Sequence, residues 1–233
     1  MKNIVIFSGA GTSAESGIQT FRDSNGLWEN HKIEEVATPA AWKNNPDLVT
    51  EFYNLRRKAI LEAKPNHAHF DIARLEEYAS VQVITQNIDD LHERSGSSSV
   101  LHLHGNIMYA KSCGPNQEKA YYKIDGGELT EQNTCPEGYR LRPHVVWFGE
   151  AVPAYEQAAE ILKLADILIV LGTSLQVHPA AGLIHYATNA KHKYIIDPNV
   201  NNLSVPKDFI KIEGGAIEGI KNVLEKLKRD LSD

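Results

Sequence analysis

An apolar run, Ile4-Val5-Ile6-Phe7, leads directly into Ser8-Gly9-Ala10-Gly11-Thr12-Ser13-Ala14-Glu15-Ser16-Gly17. No other stretch limits the fold as strongly. Four β-prone apolar residues read as a buried strand. A strand feeding straight into Gly-x-Gly-x-x-Ala is the opening of a doubly wound α/β fold, with Ala14 in the third small position. Gly9 allows a tight turn. Gly11 is expected to let backbone N–H groups come close to a pyrophosphate, and the following helix points its positive end at that anion. A plain strand-to-helix turn has the same pattern, so both readings stand at this point.

Composition narrows the classes. A chain of 233 residues suits one large α/β domain, or one domain carrying a smaller inserted lobe. A formal charge of −6 weighs against a general nucleic-acid binder. No apolar run is long enough to span a bilayer. Met1-Lys2-Asn3 enters the first strand at once and is read as carrying no signal peptide, and two cysteines cannot staple a chain of this length. A soluble, cytoplasmic protein is expected, with no membrane or nucleic-acid partner and no obligate protein partner.

Along the chain, Asn3–Ser8 is expected as the first strand. A dehydrogenase would place a second strand next, ending in an acid about twenty residues past the glycines. Instead Pro39 and Pro46 open a helical stretch with Leu48, Phe52, Leu55 and Ala59 on one face. Residues 65–78 read as a helix capped by Asn66, with Phe70, Ala73 and Leu75 apolar. Val81–Thr85 is expected as the second core strand, running into the polar cluster Gln86-Asn87-Ile88-Asp89-Asp90-Leu91-His92. Val100–Leu103 is a short strand ending at His104-Gly105, and residues 106–142 are polar with little periodicity. Further expectations are an amphipathic helix at Pro153–Leu164, a buried strand at Asp166–Leu171, a Pro179-initiated helix at Ala180–Thr188, a strand at Tyr194–Asp197 and a closing helix at Gly215–Arg229. The fold class is α/β: a Rossmann-like, mainly parallel sheet with helices on both faces, plus a smaller inserted lobe.

Five blocks then combine: Gly9 to Arg22, Thr85-Gln86-Asn87-Ile88-Asp89, Leu103-His104-Gly105-Asn106, Leu141 to Glu150, and Gly172-Thr173-Ser174. In this order and spacing they resemble the sirtuin family of NAD-dependent protein deacylases, and more narrowly its bacterial and mitochondrial class III. The resemblance runs from Ile4 to Leu227. It implies a single catalytic domain over 1–233, with a large lobe of 1–30, 79–105 and 143–233. The small lobe is then 31–78 and 106–142, a helical part and a degenerate zinc-module part. It implies NAD as cofactor, acylated-lysine proteins as substrates, and nicotinamide, 2′-O-acyl-ADP-ribose and free lysine as products.

The residues suit that chemistry. An imidazole titrates near neutral pH, so His104 can serve as general base. His102, two residues earlier, is expected on the opposite face if both residues are in the strand, and is read as structural. The resemblance makes Asn87 and Asp89 catalytic partners beside the nicotinamide ribose, and an Asx-rich turn capping the next helix is compatible with that role. It assigns Gly9, Ala10, Gly11, Thr12, Ala14, Glu15, Phe21, Arg22, Trp28, Gln86, Ile88, Gly172, Thr173, Ser174, Asp197, Asn199 and Ala216 to the cofactor, with Phe21 and Arg22 in a closing loop. Thr12 and Gln19 depart from the family pattern in ways expected to loosen that loop. Val146, Trp147, Phe148 and Gly149 correspond to the segment that an acyl-lysine peptide joins as an added strand, opposite the loop at Gln176-Val177.

Tyr53 and Arg56 are three apart in a helical stretch and share a face. They match the Tyr-x-x-Arg pair of class III. An Arg fork with a Tyr hydroxyl can hold a carboxylate, which succinyl- and malonyl-lysine carry and acetyl-lysine lacks. Most sirtuins hold zinc with two Cys-x-x-Cys pairs; here only Cys113 and Cys135 remain and no histidine lies between them, so no zinc is expected. Other readings are a mono-ADP-ribosyltransferase or NAD hydrolase at the same site, or a non-catalytic NAD or ADP-ribose sensor. A hydride-transferring oxidoreductase lacks its acid after a second strand.

Overall fold

The computed structural model describes residues 1–19, 27–28, 31–125 and 128–231. Its elements begin with β1 (Asn3–Ser8), α1 (Gly11–Ala14), β2 (Leu27–Trp28), β3 (His31–Lys32), α2 (Ile33–Val36), α3 (Pro39–Asn44), α4 (Pro46–Glu62) and α5 (His67–Arg74). Next come β4 (Ser80–Thr85), α6 (Leu91–Arg94), β5 (Val100–His102), β6 (Gly105–Ser112), β7 (Tyr121–Lys123) and β8 (Leu141–Val145). The chain continues with α7 (Tyr155–Lys163), β9 (Ile167–Leu171), β10 (His192–Asp197), β11 (Phe209–Glu213) and α8 (Ala216–Leu231).

Six strands form one sheet in the order β11-β10-β9-β1-β4-β5, and every adjacent pair is parallel. A parallel sheet needs cover on both faces, which is why β1 and β9 read as unbroken apolar runs. Ile4 and Ile6 turn to one face and pack with Ile72 of α5 and Ile220, Val223 and Leu227 of α8. Val5 and Phe7 turn to the other and pack with Ala158 and Leu162 of α7 and with Leu183 and Ile184. From β1 the chain builds outward through β4 to β5. It then returns to lay β9 on the other side of β1 and builds away through β10 to β11. The topological switch point therefore lies between β1 and β9, and ligands of open α/β sheets bind at the C-terminal ends of strands at such a point.

A second sheet, β7-β6-β8, is antiparallel. It meets α2, α3 and α4 in a core of Val36, Val49, Phe52, Tyr53, Ile107, Val145 and Trp147.

Several expectations need correction. The inward stripe of α4 is Val49, Phe52, Tyr53, Arg56 and Ile60, while Leu55 and Ala59 face solvent. The stripe includes a phenol and a guanidinium, so counting only apolar residues selects the wrong face. α5 ends at Arg74 and passes into a 3₁₀ turn, and it buries Ala68 and Ile72 rather than the exposed Phe70. Asn66 does cap it, accepting from the Ala68 N–H at 2.9 Å. The helix after Pro179 is 3₁₀, spanning Ala180–Tyr186. Residues 106–142 hold three strands or parts of them, and β11 stands where no strand was expected.

Candidate active site

The two glycine loops at the switch point are bonded to each other. The Gly9 N–H donates to the Leu171 carbonyl at 3.0 Å and the Gly11 N–H to the Gly172 carbonyl at 2.8 Å. Gly172 has φ +62°, and a Cβ there would stand 2.3 Å from the Thr12 nitrogen. These glycines let two backbones touch. The N–H of Gly11 itself is committed to the neighbouring loop. Thr12 is fully buried and donates its hydroxyl to the Leu171 carbonyl at 3.2 Å, while the closing segment it was expected to loosen lies outside the described residues.

Beneath this loop a buried polar network holds Asn87 and Asp89. The Ser13 hydroxyl donates to Asp89 Oδ2 at 3.0 Å and accepts from Asn87 Nδ2 at 3.1 Å. Asp89 Oδ1 accepts from the Leu91 N–H at 3.2 Å, so the cap and the site use one carboxylate. Burial raises the Asp89 carboxyl above the usual carboxylate range, against the hydrogen bonds from Leu91 and Ser13. His69 Nδ1 accepts from the Asn66 N–H at 3.3 Å, which leaves Nε2–H facing Ser13 Oγ at 3.5 Å. Asn66 Nδ2 reaches the Thr12 carbonyl at 2.9 Å and Ser16 Oγ at 3.0 Å, joining α5 to the loop. Deeper still, Ser8, Thr85 and His92 are linked at 2.9 and 3.0 Å. Burial pushes the imidazole of His69 down to about 4 and that of His92 well below its usual value. Ser8, Ser13, His69, Thr85 and His92 were not assigned to the site from the sequence. Their one signal was buried polar residues falling at strand ends and at a cap.

His102 and His104 grip successive carbonyls of the Gln86–Asp89 loop. His104 Nδ1 lies 3.0 Å from the Gln86 oxygen and His102 Nδ1 lies 3.1 Å from the Asn87 oxygen. A carbonyl only accepts, so both Nδ1 atoms carry hydrogen. His104 therefore presents its Nε2 lone pair, and burial lowers its pKa despite the Gln86 bond. The expectation that His102 points to the opposite face is corrected. Residues two apart in extended backbone share a face, and both rings turn to the carbonyls of Gln86 and Asn87.

Gln86 Nε2 donates to Thr173 Oγ1 at 3.0 Å, tying the β4 end to the β9 end, with Ser174 half-buried beside it. Ala10 is the N-cap of α1, Ala14 ends α1 exposed, and the backbone of Ile88 accepts from Ile107 at 2.9 Å. Glu15 Oε1 accepts from the Ile217 N–H at 3.1 Å, so this side chain caps α8. Ala216 packs in the core under β10. Asp197 is buried and accepts from the Asn199 N–H at 2.8 Å, while Asn199 is exposed. Phe21 and Arg22 lie outside the described residues, as does the side chain of Trp28.

On the small-sheet side, Val146 donates to the His104 carbonyl at 2.9 Å and Phe148 to the Ala37 carbonyl at 3.0 Å. The Trp147 N–H donates to Glu150 Oε2 at 2.8 Å. Three consecutive N–H groups are thus spent within the chain, so strand addition here would rest on carbonyls and on Gly149, which has φ +92°. Arg142 pairs with Glu150 at 2.6 Å and lies 3.9 Å over the Trp147 ring. Tyr53 and Arg56 are both buried and adjoin this group. Burial keeps the Tyr53 hydroxyl protonated, pushing its pKa well above the usual value against the Arg56 charge.

Cys135 is buried in a small cluster with Ala110, Leu129 and Leu141, and Cys113 is exposed. Among the described residues no three His, Cys, Asp or Glu side chains converge as metal ligands. No helix among them is long and apolar enough to cross a membrane.

A 3-2-1-4-5-6 parallel sheet with mutually bonded glycine loops at its switch point defines the doubly wound, Rossmann-like class. Comparison with known proteins narrows this. The sequence profile of the Sir2 family matches residues 9–179, and the chain belongs to that family. An NAD-dependent protein deacylase of Helicobacter pylori is 48% identical over 229 residues, 97% of this chain and 98% of the relative. One of Bacteroides thetaiotaomicron is 45% identical over 230 residues, 97% and 98% of the two chains. A solved complex of a Sir2 homologue with NAD matches with a TM-score of 0.85 at 36% identity, over 99% of this chain and 91% of that one.

Proposed function

We propose that this chain is an NAD-dependent protein deacylase that removes succinyl and malonyl groups from lysine in preference to acetyl groups. The membership and the deacylase relatives support the coarser activity. One observation carries the mechanism: the Gln86 carbonyl fixes the His104 tautomer, leaving a neutral, half-buried Nε2 lone pair. NAD, when bound, supplies the ribose to which the acyl group is transferred. The crevice fits such a group, since two strand ends, buried Asn87 and Asp89 and the His104 lone pair meet there.

In this reading His104 Nε2 takes a proton from a hydroxyl. Lowered basicity keeps it unprotonated at physiological pH. Ser13 orients the Asn87 amide and the Asp89 carboxylate, which face the ribose and carboxamide end of the cofactor. Tyr53 and Arg56 hold the distal carboxylate of the acyl group. A buried guanidinium beside a neutral phenol offers charged and neutral donors to one carboxylate. The same proposal includes the remaining cofactor and peptide residues named from the resemblance, the two-lobe division, a cytoplasmic setting and the absence of structural zinc. One tightly bound zinc per chain by metal analysis would refute the last point.

A nicotinamide-release assay with acetyl, malonyl and succinyl peptides tests the preference. Arg56→Met is expected to cut desuccinylation about 100-fold, the value of two charge-assisted hydrogen bonds, while sparing deacetylation. Equal loss of both activities would remove Arg56 as the selector.

A further inference from the structure

We propose that His102 is a positioning residue held as an imidazolium, and that its second proton keeps the Asn87 backbone in place for the reaction. This rests on the deacylase reading above. His102 Nε2 lies 2.7 Å from Glu93 Oε1 while Nδ1 lies 3.1 Å from the Asn87 carbonyl. Both partners only accept, so both ring nitrogens donate, and a ring with two N–H groups carries a charge. The His102 side chain is largely buried, 12% exposed, while that of Glu93 is 39% exposed and reaches solvent.

Among the described residues, the charged groups that act on the ring come from α6, the Gln86–Asp89 loop and β8. Burial opposes the imidazolium, but the Glu93 bond and charge, the Asn87 carbonyl and the Asp89 charge together raise its pKa. Glu93 is correspondingly lowered, its burial outweighed by His102. His92 from α6 and His144 from β8 both feel the His102 charge, and burial keeps both neutral, His144 down to about 4. Asn106 presents its amide nitrogen 3.3 Å from Nε2 and favours a neutral ring. That neutral contact is longer and weaker than the carboxylate at 2.7 Å.

Loss of one proton breaks the arrangement in a defined way. The carboxylate is the stronger acceptor, so Nε2 keeps its hydrogen. The Nδ1 lone pair then faces the Asn87 carbonyl oxygen, and the grip becomes repulsion. The adjacent histidines thus have opposite protonation needs. His104 must be neutral, which sets an acid limb below the ordinary histidine range. His102 must be charged, which sets an alkaline limb above it.

The test combines the pH profile of kcat/KM for a peptide the enzyme deacylates with an NMR titration of the His102 ring in the unliganded protein. Glu93→Gln is expected to move the alkaline limb to lower pH. His102→Asn keeps a donor aimed at the Asn87 carbonyl without a titrating proton, and is expected to lack that limb. His102→Phe removes the donor and is expected to lower kcat about tenfold across the range, with KM for peptide little changed. NMR is expected to show both ring nitrogens protonated at pH 7, with a pKa that falls in Glu93→Gln. A neutral ring at pH 7, or an alkaline limb that persists unmoved in both Glu93→Gln and His102→Asn, overturns the proposal. If no acyl peptide is turned over, the deacylase reading fails, and the NMR result still decides whether the ring is charged.

Discussion

At His104 a main-chain carbonyl decides which nitrogen is basic. The Gln86 oxygen takes the Nδ1 hydrogen at 3.0 Å, and Nε2 is left to act. His104→Ala is expected to lower kcat/KM by about 10²–10⁴-fold, the usual worth of a positioned general base, with folding intact by circular dichroism. Since its pKa is lowered by burial, the acid limb of the wild-type profile is expected below the ordinary histidine range. An acid limb centred at or above pH 7 would contradict that assignment. The positions of His104, Asn87 and Asp89 at the strand ends were legible from the sequence because each sits in a short block after an apolar run. Ser13 and His69 were not, because a buried serine and a buried cap histidine become partners only when α5 closes on the glycine loop.

At the scale of elements, the two glycine loops behave as one part. Gly172→Ala would place a Cβ 2.3 Å from the Thr12 nitrogen at a positive φ. The expected cost is roughly 2 kcal/mol or more, read as a fall in urea midpoint, together with weaker NAD binding by calorimetry. Asn66→Ala removes a helix cap and both bonds to the glycine loop, and is expected to cost about 1–2 kcal/mol. Unchanged stability in either variant would show that the loops are not coupled as described. The parallel strands β1, β4 and β9 were legible as apolar runs, since burial on both faces leaves no polar alternation. β6 was hidden because Lys111 and Ser112 are buried within it, Lys111 by pairing with Glu118 at 2.5 Å. β11 was hidden because it edges the sheet and exposes Ile210 and Lys211.

Across the whole molecule, several histidines are folded in as neutral rings. His69 and His144 are held down to about 4 by burial, against about 6.5 for a free imidazole. Below pH 6.5 the unfolded chain takes up these protons and the folded chain does not. Stability is therefore expected to fall as pH drops from about 6.5 towards about 4, seen as a lower urea midpoint at pH 5 than at pH 7.5. A midpoint that is flat across this window would mean that the rings protonate without unfolding. The doubly wound plan was legible from strand and helix alternation, whereas the antiparallel β7-β6-β8 sheet depends on pairings among polar segments that carry no period of their own. That sheet supplies Val145 and leads into Trp147, and α4 brings Tyr53 against them, with Arg56 buried beside Tyr53. In the proposed reading this wall faces the acyl group and the crevice at the switch point faces NAD, and the central claim is that both act on one acyl-lysine. Mass spectrometry of the products from wild-type enzyme, NAD and a succinyl-lysine peptide tests it most directly. One succinyl-ADP-ribose and one nicotinamide per free lysine is the expected result; nicotinamide accompanied only by ADP-ribose, or by ADP-ribosylated peptide, would contradict it.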